Sequence, residues 1–77
     1  MRELLEFLVR SLVDDPQAVK IDELENGGEA VLRIHVAQGD VGKVIGRQGR
    51  TVKAIRAVLG IVERRVGKRV QVEIAEG

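Results

Sequence analysis

The chain has 77 residues, with 13 lysines and arginines against 12 acids and no cysteine. This length fits one small domain, residues 1–77, and the lack of cysteine excludes disulfides and thiolate metal sites, so an aliphatic core must supply the stability. No apolar run approaches the roughly 20 residues that span a bilayer. Glu3 and Glu6 interrupt the apolar N-terminus, which argues against a secretory signal. We expect a cytoplasmic protein without membrane contact.

Charge is divided unevenly along the chain. Residues 1–39 carry four lysines and arginines against eight acids, a balance of −4, whereas residues 40–77 carry nine against four, a balance of +5. This segregation favours one basic face for a polyanion. The alternative is that the charges merely solvate helix surfaces.

The first half of the chain predicts one helix and two strands. Residues 2–13 carry apolar side chains at helical spacing, and Asp14-Asp15-Pro16 ends this helix, because proline disfavours helical backbone in its predecessor. Residues 19–24 alternate as a short strand. Asn26-Gly27-Gly28 is a strong hairpin signal, and residues 30–36 form the best strand in the chain.

The second half predicts two helices around a loop, followed by a strand. Asp40 is the expected N-cap of a short helical turn. Beyond the loop, apolar residues step by three and four along a long helix that Gly67 ends, and residues 69–74 form a final strand. The core-facing stripe of the long helix consists of Val52, Ile55, Leu59, Val62 and Val66. The order predicts an α+β fold, with a three-stranded mixed sheet and helices on one face.

The loop Gly46-Arg47-Gln48-Gly49 is the most informative segment. Glycines at this spacing allow a tight turn and a close approach to a ligand. The amides that they expose lie at the start of the next helix, where the dipole favours an anion. Lys43, Arg50 and Lys53 flank the loop at distances suited to phosphates. A phosphate backbone is therefore the predicted ligand.

The element order, together with the segment from Gly42 to Val52, resembles the type II KH fold. A free-standing domain of this size resembles the KhpA family of small bacterial RNA-binding proteins. The resemblance implies a non-catalytic protein without a cofactor or small-molecule substrate, which clamps single-stranded RNA at the GxxG loop, Gly46 to Gly49. It further implies an RNA chaperone in post-transcriptional regulation and cell-shape control, which works as a homodimer or with a larger KH partner.

The resemblance also implies the binding residues. Those assigned to RNA are Lys43, Val44, Ile45, Gly46, Arg47, Gln48, Gly49, Arg50 and Lys53. Bases would lie across an apolar groove formed by Val41, Val44, Ile45 and Val52, with residues near Ile34 and Val36 from the adjacent strand. Several of these apolar residues must also serve the core.

Other residues offer little chemistry. Phe7 is the only aromatic residue, so stacking of bases on a sheet surface is not expected. The order of residues required for a nucleotide-binding P-loop is missing. His35 and Ser11 lack partners at catalytic or metal-ligand spacing, so neither metal binding nor catalysis is expected there.

One apolar group on the long helix has two interpretations. Ala54, Ala57 and Ile61 fall on the side opposite the core stripe, where polar residues are expected. They predict a dimer face on which another helix packs, although single exposed apolar residues are also ordinary. An adaptor that mainly docks a protein partner is therefore the alternative to an RNA-binding module.

Overall fold

The computed structural model describes residues 2–75 of the chain. Its helices and strands are α1 (Arg2–Leu12), β1 (Lys20–Asn26), β2 (Glu29–His35), α2 (Val41–Ile45), α3 (Arg50–Val66) and β3 (Arg69–Ile74). This order confirms the predicted α+β arrangement of helix, two strands, two helices and a strand. Met1 and residues 76–77, the ends of the predicted domain 1–77, lie outside the described residues.

The three strands form a mixed sheet with β2 in the centre. β1 pairs with β2 in antiparallel register from Lys20↔His35 to Asn26↔Glu29. The two residues between these strands, Gly27 and Gly28, make the predicted hairpin turn, with φ of 64° at Gly27. β3 pairs with β2 in parallel, as expected of a strand that returns through a helical connection.

The core lies between one face of the sheet and the helices. Every second residue of β2 faces the helices, and Leu32 and Ile34 are fully buried. From the helices, Leu5, Val9 and Leu59 are almost completely excluded from solvent. The prediction that Val66 belongs to the core-facing stripe of α3 is wrong, because this residue is 53% exposed. It lies in the last helical turn, two turns beyond the last buried position of the helix.

Side chains of α3 cover the outer edge of β3. The amide of Val70 donates to the Glu63 carboxylate at 2.7 Å. The carbonyl of Val72 accepts a hydrogen bond from Arg56 at 3.2 Å. An uncovered edge strand offers its backbone to other chains. The helix that follows the glycine loop therefore also blocks part of this edge.

Candidate nucleic-acid interface

The GxxG loop connects a one-turn helix to the longest helix of the chain. α2 ends at Ile45 and α3 begins at Arg50. The amide of Gly46 donates to the carbonyl of Gly42 at 2.8 Å, and the amide of Gly49 donates to the carbonyl of Gly46 at 3.1 Å. The loop is thus a tight turn at the N-terminus of a 17-residue helix, where the helix dipole attracts an anion.

Three of the four loop residues have positive φ. Gly46 has φ 77° and ψ 169°, and Gly49 has φ 73° and ψ 15°. Gln48, with φ 58°, is the only non-glycine residue in the range 2–75 with this backbone conformation. Such conformations are uncommon outside glycine and concentrate at functional sites. The backbone geometry alone therefore distinguishes this loop from the other described residues.

Gly46 is required for a steric reason as well. A Cβ atom at this position would lie 2.8 Å from the amide nitrogen of Thr51 and 2.7 Å from the Thr51 Cβ. At Gly49 the nearest atom to such a Cβ, a Val52 methyl carbon, is 4.0 Å away. The first glycine thus permits a close approach between the loop and the first turn of α3. Gly49 is therefore required only for its left-handed backbone conformation.

The cations next to the loop are exposed and unpaired. Arg47, Arg50 and Lys53 are exposed, and none of them makes an ion pair with an acid among the described residues. Some basic side chains elsewhere are paired, as where Arg10 lies 2.8 Å from Glu6, whereas Arg64, Arg65 and Arg69 also lack an ion pair among the described residues. The loop therefore joins a dipole-favoured anion position to three positive charges with no internal partner.

The structure corrects part of the predicted apolar groove. Val44 and Ile34 are both fully buried, so their side chains belong to the core and not to an exposed groove. Val44 lies on the inner side of α2, and Ile34 lies in the central strand under the helices. Val41, Ile45 and Val52 are only partly buried, and they remain the apolar surface beside the loop.

Asp40 has a different role from the predicted helix cap. It occupies the N-cap position of α2, but its side chain makes no capping hydrogen bond. The residue is 3% exposed, and its two carboxylate oxygens accept hydrogen bonds from the amides of Asp14 at 3.2 Å and Asp15 at 3.0 Å. This contact fixes the connection between α1 and β1 against the start of α2. The sequence gives no signal for it, since the partners are 25 and 26 residues apart.

Lys43 completes this group of charges. Its ammonium donates to the Asp14 carboxylate and lies 3.4 Å from Asp40 Oδ1. Burial alone would raise the pKa of Asp40, but the amides of Asp15 and Asp14, with Lys43, hold it below the ordinary value. The hydrogen bond to Asp14 is the main cause that raises the pKa of Lys43. Asp40 and Lys43 are therefore both held in their charged forms.

The predicted dimer face is exposed and has a neighbour on α1. Ala54, Ala57 and Ile61 are all exposed, and Ile61 is 54% accessible. Ala54 also lines a shallow apolar groove between α1 and α3, the α1–α3 groove. The groove is lined by Leu8, Ser11, Leu12, Thr51, Ala54, Ile55 and Val58. The contribution of α1 was not predicted, because its leucines fit a core-facing stripe equally well.

The remaining polar candidates have structural partners. His35 Nε2 lies 2.8 Å from the Asp22 carboxylate on the neighbouring strand. Ser11 donates to the carbonyl of Phe7 at 2.8 Å within α1. No group of three or more possible metal ligands occurs within the range 2–75. The helices in that range are also too short or too polar to span a membrane.

Comparisons with a family profile and with individual proteins indicate the same family. The profile of the family described as "KhpA/KhpB, KH domain" matches residues 2–74. A Borreliella burgdorferi protein named RNA-binding protein KhpA is 46% identical over 74 residues, covering 96% of this chain and 90% of that protein. Proteins of the same name from Chlamydia trachomatis and Clostridium acetobutylicum are 42% and 46% identical. These matches cover 99% and 96% of this chain, and 97% and 99% of those proteins. No solved structure gives a significant match.

The two glycines of the loop should respond differently to alanine. Gly49→Ala should lower the free energy of unfolding by about 1–2 kcal/mol, the ordinary penalty of left-handed backbone. Gly46→Ala should cost at least about 3 kcal/mol, because it adds a clash with the Thr51 backbone to an unfavourable conformation. Denaturant unfolding of both variants measures the difference, with Gly49→Asn as the control that tolerates positive φ. Equal losses at the two positions would contradict the steric role of Gly46.

Asp40 should make stability depend on pH in the acidic range. Its pKa is lowered in the folded state, so its stabilisation is complete above the ordinary value of 3.8 and disappears as the pH falls through the folded value. The single side-chain oxygen in Asp40→Asn can replace only one of the two acceptors of the carboxylate. This variant should therefore be less stable than the wild type at neutral pH, and it should lose less stability on acidification. Denaturant midpoints between roughly pH 2 and 7 test this. Asp15→Asn should keep the wild-type profile, and an unchanged profile in Asp40→Asn would contradict the role of the carboxylate.

Proposed function

Because the chain belongs to the KhpA/KhpB KH-domain family, we propose that it is a non-catalytic RNA-binding protein that holds single-stranded RNA at the GxxG loop. The observation that carries the proposal is the placement of three unpaired cations, Arg47, Arg50 and Lys53, around a positive-φ turn at the start of α3. Related proteins of similar length carry the name RNA-binding protein KhpA, which supports the same ligand.

The chemistry of the loop suits a sugar-phosphate backbone. Backbone amides at a helix N-terminus bind anionic oxygens without a side chain, and the arginines add charge that tolerates variable phosphate positions. Bases that leave this backbone meet the partly buried Val41, Ile45 and Val52, which offer aliphatic contact without a stacking ring. One such module contacts about four nucleotides, so we expect modest affinity and little discrimination between sequences.

We extend the proposal to the action of an RNA chaperone in the cytoplasm. A protein that holds few nucleotides weakly exchanges them readily, as is required to remodel RNA without trapping it. Roles in post-transcriptional regulation and cell-shape control are supported only by the resemblance to the family. The proposal includes no catalytic step and no cofactor.

A protein partner is the second part of the proposal. Leu12 of α1 and Val58 of α3 are 39% and 40% exposed in the apolar α1–α3 groove, and Ile61, two helical turns beyond Ala54, is 54% exposed. Exposed apolar side chains on two adjacent helices favour a docking surface. We propose that this surface forms a homodimer or binds a larger KH protein. The same observation favours the alternative of an adaptor with weak RNA binding.

Acidic substitution of the loop should remove RNA binding. Arg47→Asp with Gln48→Asp loses one cation and adds two carboxylates, each of which costs about 1–4 kcal/mol against a phosphate. Aspartate tolerates the positive φ of position 48, so the fold should persist. Fluorescence anisotropy with a short labelled single-stranded RNA measures the affinity, and circular dichroism monitors the fold.

A matched control distinguishes an effect of charge at the loop from an effect of the net charge of the protein. Arg69→Asp with Gln71→Asp makes the same two changes at exposed positions of β3, and it should bind RNA nearly as well as the wild type. Wild-type binding should also weaken steeply with salt, as phosphate contacts require. Equal RNA affinity in the folded loop variant and the wild type would disprove the loop as the binding site.

The partner surface is tested by Ile61→Asp. The side chain is 54% exposed, so the substitution should leave the core intact while it places a charge in an apolar contact. We expect a lower mass by light scattering, or loss of binding to a larger KH protein. Leu24→Asp is the control, because Leu24 is 56% exposed but lies on β1. Unchanged mass and partner binding in Ile61→Asp would rule out this face.

A further inference from the structure

Lys43 differs from the other cations near the loop because it has an internal partner. It lies in α2, three residues before Gly46, and its ammonium contacts the carboxylates of Asp14 and Asp40. Arg47, Arg50 and Lys53 have no such partner among the described residues. One of the four cations predicted to reach phosphate is therefore already bonded to an anion.

The two anions around Lys43 have different environments. The Asp40 side chain is 5% exposed, and both of its oxygens are occupied by backbone amides. The Asp14 side chain is 82% exposed, and Lys43 is its only side-chain partner among the described residues. Asp40 is thus a fixed part of the fold, whereas Asp14 is a solvent-facing carboxylate that can exchange Lys43 for water.

Asp40 also brings Asp14 to this position. It accepts the amide of Asp14 at 3.2 Å, and this bond holds the end of α1 beside α2. The carboxylate of Asp14 is consequently anchored close to the lead-in of the GxxG loop by a buried contact. An acid from the acidic half of the chain is in this way placed among the cations of the basic half.

We propose that Asp14 is an internal competitor of RNA phosphate for Lys43 and thereby limits the affinity of the loop. This inference rests on the proposed function, because it requires RNA to bind at the loop. Exposed ion pairs contribute little to stability, so Lys43 can leave Asp14 for a phosphate at small cost. The released carboxylate then remains near the phosphate and repels it. Both effects weaken binding and hasten release of the RNA.

A purely structural role for Asp14 predicts the opposite sign. If the ion pair served only to hold α2 in place, its removal would loosen the loop and weaken RNA binding. If Asp14 competes with phosphate, its removal strengthens binding even where the fold becomes slightly less stable. The direction of the change in affinity therefore distinguishes the two roles.

The test compares Asp14→Asn with Asp15→Asn in the full-length chain. Both variants lose one negative charge and keep the backbone amide that donates to Asp40, but only the first removes the exposed carboxylate that contacts Lys43. The probe is a short labelled single-stranded RNA measured by fluorescence anisotropy. Asp14→Asn should bind about two- to fivefold more tightly, the size of effect expected for an exposed ion pair. Asp15→Asn should show a smaller gain.

Lys43→Ala supplies the second comparison. If competition for Lys43 is the cause, the gain from Asp14→Asn should shrink to the size of the Asp15→Asn gain when Lys43 is absent, since only repulsion between the carboxylate and the phosphate then remains. The slope of log affinity against log salt should fall by about one in Lys43→Ala and stay at the wild-type value in Asp14→Asn, since Lys43 meets phosphate in both the wild type and Asp14→Asn. Circular dichroism and thermal unfolding confirm that each variant is folded.

The outcomes separate this inference from the function on which it rests. Weaker or unchanged binding by folded Asp14→Asn, with normal RNA binding by the wild type, would overturn the competition and leave the proposed function intact. An equal gain in Asp15→Asn, or a gain from Asp14→Asn that is undiminished in the Lys43→Ala background, would also overturn it in favour of general charge. Failure of every variant and of the wild type to bind RNA would overturn both proposals.

Discussion

The buried carboxylate of Asp40 joins the connection between α1 and β1 to the start of α2. α2 has five residues, too few for a helix that is stable by itself, so tertiary contacts must determine where it lies. Its inner face is fixed by Val44 in the core, and its start is fixed by the hydrogen bonds from Asp14 and Asp15 to Asp40. The GxxG loop follows this helix directly. The direction in which the loop presents its amides therefore depends on a contact between residues about 25 positions apart, and not on the loop sequence alone.

The backbone conformation of the loop is the next constraint. Gly46 lies so close to Thr51 that a side chain cannot fit, and positive φ continues through Gln48 and Gly49. The peptide groups are consequently held in position before a ligand arrives, and a ligand does not need to order them. Binding energy lost to ordering is a main reason for weak recognition. If the loop binds RNA as proposed, its pre-organisation compensates in part for the few contacts that so small a domain can make.

Much of the fold follows from the sequence, and the failures have a common cause. The apolar spacing of α1, β2 and α3, the hairpin glycines and Gly67 act locally, and they predict elements close to those observed. Errors arose where a residue has two possible partners that only the tertiary structure distinguishes. Asp40 fits a helix cap by sequence but bonds to distant amides, and Val44 fits a groove by position but lies in the core. The glycine loop was predictable because its constraint is local, whereas the link between Lys43 and Asp14 was not.

The β3 edge of the sheet limits how a second protein could dock. Glu63 and Arg56 of α3 bond to the outward backbone groups of Val70 and Val72, so strand addition at the β3 edge would have to break these bonds first. The other face of the sheet carries polar cross-strand pairs, such as Arg33 with Glu73 at 3.1 Å. Of the large apolar side chains that are exposed within residues 2–75, all but Leu24 of β1 lie on α1 or α3. Because α3 also begins at the GxxG loop, a partner docked along this helix would lie next to bound RNA. Association and RNA binding would then be coupled through one rigid element, and two weak loops brought together would hold one RNA with higher avidity than either alone.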